Sequence, residues 1–285
     1  MKTATLSIGG IGVTLTGGAS VALAMQLPGM AAFEQPAADG IVVRLDEAMS
    51  LPPCRWLHTF DLEASGAKCR FGVGEDGCHY QLFGDSVVLC HDNREPDIVM
   101  CSSVADAALL RYVLWTAYGM AALHRGAVPV HTSAVVCDGK AVLCLGESGT
   151  GKSTHTRLWC ENIEGSFLLN DDSPIVRVEA DGVYAYGSPW SGKTPCFKQE
   201  RYPVAALQRI VQRPENTIKR LGTIESFTAL QPSCPPVLAH DEGYMDMIVD
   251  FISKVISRVP VYRLGCLPDA DAAHLSHDTI FPVQP

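Results

Sequence analysis

Short apolar runs separated by turn residues dominate the first hundred residues of the chain. Five of these runs have the length and composition of β-strands: IVVRL (41–45), RWLHTFDL (55–62), KCRFGV (68–73), CHYQLFG (78–84) and SVVLCH (86–91). Upstream, TLSI and IGVTLTG flank a Gly-Gly pair, which favours a β-hairpin over the apolar core of a signal peptide. No run approaches the roughly 20 apolar residues of a membrane-spanning helix. The pattern predicts a β-rich N-terminal region and no membrane partner.

The pattern changes after residue 102. Residues 105–126, ADAALLRYVLWTAYGMAALHRG, are rich in helix-forming residues with a broad apolar face, and Ser103 is the predicted N-cap. Gly126 and the nearby Pro129 predict the end of this helix. We therefore expect one long helix that connects the β-rich region to the remainder of the chain.

The second half begins with a predicted hairpin. The apolar runs SAVVC and AVLCL are joined by Asp138-Gly139-Lys140, and an Asp-Gly turn between such runs indicates antiparallel strands. A helix over Thr154–Asn162 follows, and then the strand-like runs FLLNDD, PIVRVE and VYAYG. This β-meander differs from the repeated parallel βαβ units of switches and ABC-type ATPases. Residues 203–213 predict either a helix followed by a strand or a strand alone, residues 240–259 a helix, and residues 260–266 a strand.

The amino-acid composition limits the classes of protein to which this chain can belong. The chain has 285 residues, of which 47% are hydrophobic and 19% charged, which suits a substantial core rather than disorder. A net charge of −9 argues against sequence-independent binding to nucleic acid. The 11 cysteines are scattered singly and contain no C-x-x-C pair, so the usual zinc spacing is absent. The ATP-type loop described below implies the cytoplasm, where thiols stay reduced.

The segment after the predicted hairpin carries a phosphate-loop pattern, G-x-x-x-x-G-K-[ST]. Its glycines let backbone N–H groups approach phosphate oxygens, Lys152 supplies a positive charge, and the Ser153 hydroxyl can bind Mg²⁺. The sequence thus predicts ATP and Mg²⁺ as cofactors. The predicted nucleotide-binding residues are Gly146, Glu147, Ser148, Gly149, Thr150, Gly151, Lys152, Ser153 and Thr154.

Other candidate residues lie near this loop. Asp171 and Asp172 end an apolar run, and such carboxylates can bind Mg²⁺ or accept a proton from an attacking hydroxyl. His131 precedes the hairpin, whose strand pairing would bring it beside the loop. In GSPWSGKTPCFK (187–198), Trp190 and Lys193 are candidate substrate residues, although packing is an equal explanation for Trp190.

Further histidines are interpreted as surface residues. His155 and Arg157 follow the loop on the predicted helix. His274, His277 and Asp278 form a group near the end of the chain, but the sequence places no third acid or cysteine beside them. We therefore predict no metal site in that group.

Residues 131–266 resemble the nucleotide-binding fold of the HPr kinase/phosphorylase-like and phosphoenolpyruvate carboxykinase-like families. SGTGK is similar to the carboxykinase loop, while G-K-S and the spacing to the Asp pair are similar to HPr kinase. The resemblance implies a metal or phosphate role for His131, metal contact by one aspartate and proton transfer by the other. Some relatives phosphorylate serine on a precursor peptide, and the resemblance also implies homo-oligomers. The carboxykinase residues for oxaloacetate have no recognisable counterpart.

Together these patterns predict a mixed α/β fold with a β-rich domain over residues 1–102, a candidate for substrate or partner binding. Residues 103–285 would hold the connecting helix and the nucleotide-binding domain. The predicted activity is ATP-dependent transfer of a phosphoryl group to a hydroxyl of a peptide, a protein or a small molecule, with Lys152, Asp171, Asp172 and His131 as catalytic residues. The alternatives are a non-catalytic nucleotide- or peptide-binding module and a carboxykinase-type lyase.

Overall fold

The structure, a computed structural model, describes residues 1–36, 39–62 and 66–282. These residues form a mixed α/β fold with two compact units. The first comprises Met1–Ala127 and Pro236–Met247, and the second comprises Val128–Pro235 and Ile248–Pro285. This division differs from the predicted boundary at residue 102, because the connecting helix packs with the N-terminal strands and a late segment returns to the same unit.

The first unit is built on one mixed sheet. Its strand order is β1-β2-β3-β8-β7-β6-β5-β4, with β2, β3 and β8 parallel and the other neighbours antiparallel. The predicted N-terminal hairpin is confirmed by the antiparallel pairing of the first two strands. The strands are β1 Lys2–Ile8, β2 Ile11–Gly17, β3 Gly40–Arg44, β4 Cys54–Leu62, β5 Ala67–Gly74, β6 His79–Phe83, β7 Val87–His91 and β8 Ile98–Cys101.

Two helices cover this sheet. Helix α2 (Ala107–Leu123) packs on β3, β7 and β8 and against the short helix α1 (Ala19–Ala24), because its apolar face is wide enough to be almost wholly buried. The N-cap of α2 is Asp106 rather than the predicted Ser103: its carboxylate accepts the N–H of Leu109 at 2.7 Å. The helix is therefore shorter at both ends than the sequence pattern predicts.

The second unit contains a mixed sheet in the order β12-β10-β11-β15-β14-β13-β9, and β17 pairs with β15 and β16. The Asp-Gly hairpin is confirmed, since β10 and β11 are antiparallel. However, β11 is parallel to β15, so the sheet combines a hairpin with a crossover and is not a simple meander. The strands are β9 Ala127–Pro129, β10 Thr132–Cys137, β11 Lys140–Leu145, β12 Phe167–Asp172, β13 Ile175–Val178, β14 Val183–Tyr186, β15 Arg201–Gln212, β16 Thr217–Arg220 and β17 Val261–Cys266.

Strand β10 lies between β11 and β12 and pairs with both of them. Thr132 is opposite Leu145 on one side and Asp172 on the other, and Ser133 is opposite Asp171. The register between β10 and β12 shifts at Ala134/Val135, so β12 contains a β-bulge just before its polar end. The start of β10 therefore brings the end of β11 and the end of β12 to one edge of the sheet.

Helices complete the second unit. Helix α3 (Lys152–Asn162) packs on β10, β11 and β12, and α6 (Ala270–Ile280) packs on α3. Trp159, fully buried, lies with Val135 and Val142 in their common core. The remaining helices are α4 (Thr223–Leu230), which belongs to this unit, and α5 (Glu242–Ile256), whose residues up to Met247 belong to the first unit. Among the described residues, none of the helices combines the length and the apolar character needed to cross a membrane.

Candidate active site

The glycine loop, residues 146–151, connects the end of β11 to the start of α3. Gly151 is the N-cap of α3 in the left-handed region, at φ 105°, which side chains rarely allow. Gly146 has φ 152°, and a Cβ there would collide with the hydroxyl of Thr150. This backbone directs the free N–H groups at the start of α3 toward the space above the loop, where an anion is favoured.

Lys152, the first residue of α3, is folded back onto the glycine loop. Its Nζ donates hydrogen bonds to the carbonyl oxygens of Gly146 at 2.8 Å and Glu147 at 3.2 Å. Burial lowers the pKa of Lys152, while the carboxylates of Asp172 and Glu147 oppose this shift. The glycine loop thus holds the Lys152 ammonium group beside the N–H groups that would face a phosphate.

Asp171 lies at the end of β12, only 3% exposed. Its Oδ1 accepts the hydroxyl of Ser153 at 2.7 Å, whereas its Oδ2 is buried without a hydrogen-bond partner. An unpaired carboxylate oxygen of this kind is costly to bury unless a cation or a ligand completes its contacts. Carboxylate and hydroxyl oxygens are also the donors that Mg²⁺ prefers, so this pair of residues fits a Mg²⁺ ion.

Asp172 faces the same space but has a different environment. It is about half exposed, and its Oδ1 lies 3.6 Å from Nε2 of His131. Its φ of 134° is unusual for a residue with a side chain. Burial and the nearby Lys152 lower the pKa of His131, and Asp172 opposes this shift, so a neutral imidazole is favoured at neutral pH. The two adjacent carboxylates therefore differ: Asp171 is enclosed, and Asp172 is accessible.

The segment after β14 crosses directly over these carboxylates. The N–H of Gly192 donates to the carbonyl oxygen of Asp171, and Ser191 forms a β-bridge with Asp172. A Cβ at Gly192 would lie 3.0 Å from the carbonyl oxygen of Asp171 and 3.1 Å from Cβ of Asp172, so only glycine fits closely. This approach brings the next residue, Lys193, to the cavity beside the loop.

Trp190 has a different position from the one predicted for a substrate residue. Its side chain is 3% exposed, and its carbonyl oxygen accepts hydrogen bonds from Asn170 at 3.2 Å and Ser188 at 3.1 Å. Asn170 also accepts the N–H of Ser173 at 3.0 Å and so fixes the crossing segment to the end of β12. The structure assigns Trp190 to packing, the alternative that the sequence left open.

Two cavities lie on either side of the glycine loop. The first, about 320 Å³, is polar and is lined by the loop together with His131, Ser153, Asp171, Asp172 and Lys193. The second, about 390 Å³, shares Gly149, Gly151 and Thr154 with the first and continues past Ile210 to Leu267 and Pro268. A polar and an apolar compartment joined along one loop have the chemistry to hold the phosphates and the base of a nucleotide.

The structure thus brings the sequence-predicted residues Lys152, Ser153, Asp171, Asp172, His131 and Lys193 together around one cavity. Sequence reasoning missed Gly192, because its role comes from a close approach between distant segments. His155, predicted on the helix surface, is buried instead: its Nε2 accepts the indole N–H of Trp159 at 3.1 Å, and burial lowers its pKa to about 4.

Of the comparisons with known proteins, the one with solved structures finds matches. Among solved structures, an HPr(Ser) kinase/phosphatase from Coxiella burnetii matches 53% of this chain and 91% of its own length, with 13% sequence identity and a TM-score of 0.29. No family model matches the sequence. No curated protein matches it either. A TM-score this low carries no argument about fold or activity, and the residues of the site itself are the basis for a function.

Proposed function

We propose that this protein is a phosphotransferase that moves the γ-phosphoryl group of ATP to a hydroxyl group in a Mg²⁺-dependent reaction. One observation carries the proposal: the glycine loop, Lys152, the Ser153–Asp171 pair and the accessible Asp172 all line one cavity. In phosphoryl transfer, a protein has little covalent chemistry of its own to perform. Positioning and charge neutralisation provide most of the rate, and these residues provide both.

The nucleotide would bind along the glycine loop. Backbone N–H groups at the start of α3 would receive the phosphate oxygens, and Nζ of Lys152 would leave the carbonyl oxygens of Gly146 and Glu147 to reach the outer phosphates. The apolar cavity toward Leu267 and Pro268 would accept the nucleoside. ATP, rather than a free phosphate, fits a site in which a polar and an apolar compartment are continuous.

Asp171 and Asp172 would have separate roles. The hydroxyl of Ser153 and the enclosed carboxylate of Asp171 would hold Mg²⁺, which neutralises charge on the phosphates when it is bound. Asp172, being accessible, would accept the proton of the acceptor hydroxyl. The acceptor oxygen then forms a bond to the γ-phosphorus, the bond between that phosphorus and the β,γ-bridging oxygen breaks, and ADP leaves.

The acceptor would approach from the side of His131 and Lys193. Neutral His131 lies beside Asp172 and would orient its carboxylate, while Lys193 would neutralise charge on the transferred group. A serine of a peptide or protein, or a small-molecule hydroxyl, suits this open polar cavity. The reaction implies the cytoplasm, where ATP and reduced thiols occur together; the described cysteines are all free thiols.

The test separates nucleotide binding from transfer. Full-length protein would be incubated with γ-labelled ATP, Mg²⁺ and a library of single-serine peptides, and binding of a fluorescent ATP analogue would be measured in parallel. We expect Asp172→Asn to bind the analogue normally but to lose transfer by at least ~10²-fold, as for a missing general base. For Asp171→Asn, binding of the ATP analogue should no longer depend on Mg²⁺. Full turnover in both variants would refute the assignment, and binding without any turnover by the unmodified protein would favour a non-catalytic module.

A further inference from the structure

A second group of potential ligand atoms lies at the far end of the β10–β11 hairpin. Cys137, Asp138 and His277 each offer one ligand atom, and these three atoms lie within 4.8 Å of one another. Cys137 ends β10, Asp138 is the turn residue that follows it, and His277 comes from α6. The sequence separates the histidine from the other two by about 140 residues, which is why no metal spacing is visible along the chain.

This group is separate from the candidate active site. Strand β10 runs from Thr132, beside the Asp171–Asp172 pair, to Cys137 at its other end. Five residues of extended strand span roughly 17 Å. A cation at the hairpin turn therefore cannot be the Mg²⁺ of a bound nucleotide, and an argument for it does not depend on the proposed reaction.

The hairpin presents two of the ligands in fixed positions. Cys137 is 2% exposed and belongs to the core around Trp159, so its backbone is held firmly. Asp138 is exposed and has φ 48°, a left-handed conformation that the Asp-Gly turn requires and that Asp tolerates well. Adjacent positions in the turn thus supply a thiol and a carboxyl group at one point.

The imidazole is positioned by contacts of its own. The ring of His277 lies edge-on to Trp159, with 5.6 Å between ring centroids, and is stacked on Phe281 at 5.5 Å. Its Nδ1 lies 2.9 Å from Oδ1 of Asp278. With the proton on Nδ1, the lone pair of Nε2 is available to a metal, the carboxylate–histidine arrangement that orients ligands in zinc sites.

The ligand types select a class of ion. A thiolate, an imidazole and a carboxylate together suit Zn²⁺, whereas Mg²⁺ and Ca²⁺ require oxygen donors. Zinc bonds of about 2.0–2.3 Å in tetrahedral geometry place ligand atoms roughly 3.3–3.7 Å apart. The observed separation, within 4.8 Å, needs only small side-chain rotations to reach this geometry. A water molecule would complete the fourth position.

We propose that Cys137, Asp138 and His277 form a Zn²⁺ site that fastens helix α6 to the β10–β11 hairpin. The ion would tie this helix to the same hairpin that leads into the glycine loop. Because its ligands must lose protons to bind, zinc affinity should fall as the pH is lowered. Zinc should also raise the thermal midpoint of the second unit, since it binds the folded state.

The test uses full-length protein freed of metal by a chelator and titrated with Co²⁺ in excess Mg²⁺. We expect one equivalent of Co²⁺ to produce a thiolate-to-cobalt charge-transfer band and the visible spectrum of a tetrahedral site, both removed by Zn²⁺. Asp138→Asn and His277→Asn should weaken binding at least ~10-fold, and Cys137→Ser should abolish the charge-transfer band.

Two matched variants control for general effects. Asp181→Asn changes the exposed aspartate of another hairpin turn, and His274→Asn changes an exposed histidine one turn earlier on α6. Both should bind Co²⁺ as the unmodified protein does. The proposal is overturned if no charge-transfer band appears, or if Asp138→Asn and His277→Asn bind normally. Asp138→Asn preserves the turn conformation, so the test holds even where Cys137→Ser fails to fold.

Discussion

Replacing Lys152 by methionine removes the ammonium group that the glycine loop holds while keeping a similar apolar length. In the structure this group donates to the carbonyl oxygens of Gly146 at 2.8 Å and Glu147 at 3.2 Å. A hydrogen bond that involves a charged group contributes about 1.5–3 kcal/mol net. Since 1.4 kcal/mol corresponds to tenfold in affinity, ATP should bind roughly 10- to 150-fold more weakly. The two carbonyl contacts must break when ATP binds, so we expect the lower half of this range.

The assay is titration of a fluorescent ATP analogue with Mg²⁺, at constant ionic strength, on full-length protein. Lys140→Met is the matched control, because Lys140 is an exposed lysine at the start of the strand that leads into the loop. It should leave the dissociation constant unchanged. A change of less than about threefold for Lys152→Met, in protein that unfolds at the normal temperature, would show that this ammonium does not contact the nucleotide.

Three further predictions concern stability and charge. Burial lowers the pKa of His155 from 6.5 to about 4. Between these two pH values, the unfolded chain therefore binds a proton on His155 that the folded chain does not bind. The contribution of His155 to stability should therefore be constant above pH 6.5 and fall by about 3 kcal/mol between there and pH 4. Chemical denaturation of His155→Gln should accordingly show a smaller loss of stability over this pH range than the unmodified protein shows. Gly192→Ala should lower the free energy of unfolding by about 1–3 kcal/mol, because the added Cβ overpacks the crossing segment. Gly182→Ala should not lower it, because the added Cβ there meets nothing nearer than 3.5 Å. Equal free energies of unfolding for the two variants would contradict the close approach at Gly192. Glu147→Ala removes an exposed ion pair with Arg209, so the free energy of unfolding should change by less than about 1 kcal/mol. We expect the ATP affinity of this variant to rise a few-fold. Weaker ATP binding would show that Glu147 contributes to nucleotide binding.

Local signals in the sequence predicted the elements that frame the site. The Asp138-Gly139 turn correctly indicated the hairpin because turn residues and adjacent apolar runs act over a few positions. The same hairpin argument placed His131 near the loop, and the structure has it beside Asp172. The parallel pairing of β11 with β15 was not predicted, because it joins segments about 60 residues apart with no local signal.

The sequence pattern predicts the burial of polar residues less well than it predicts the hairpin. Helix α3 begins with a polar sequence, which suggested that His155 faces solvent. The helix is in fact covered by the sheet on one side and by α6 on the other. Nε2 of His155 accepts the indole N–H of Trp159, while its Nδ1 is buried without a hydrogen-bond partner. The sequence also predicts a surface position for His277, because only the folded chain brings Cys137 and Asp138 to it.

The β-bulge in β12 separates the first part of this strand from its polar end. Leu168 lies opposite Val135 and Asn170 lies opposite Ala134, so Leu169 is the extra residue of the bulge. Deleting Leu169 would turn β12 into a regular strand, while Asp171 stayed opposite Ser133 and Asp172 stayed opposite Thr132. The deletion would remove a buried leucine side chain and would therefore lower stability, but it would not exchange the enclosed carboxylate for the accessible one. The bulge thus protects the spacing of the two carboxylates against a change of chain length at this one position.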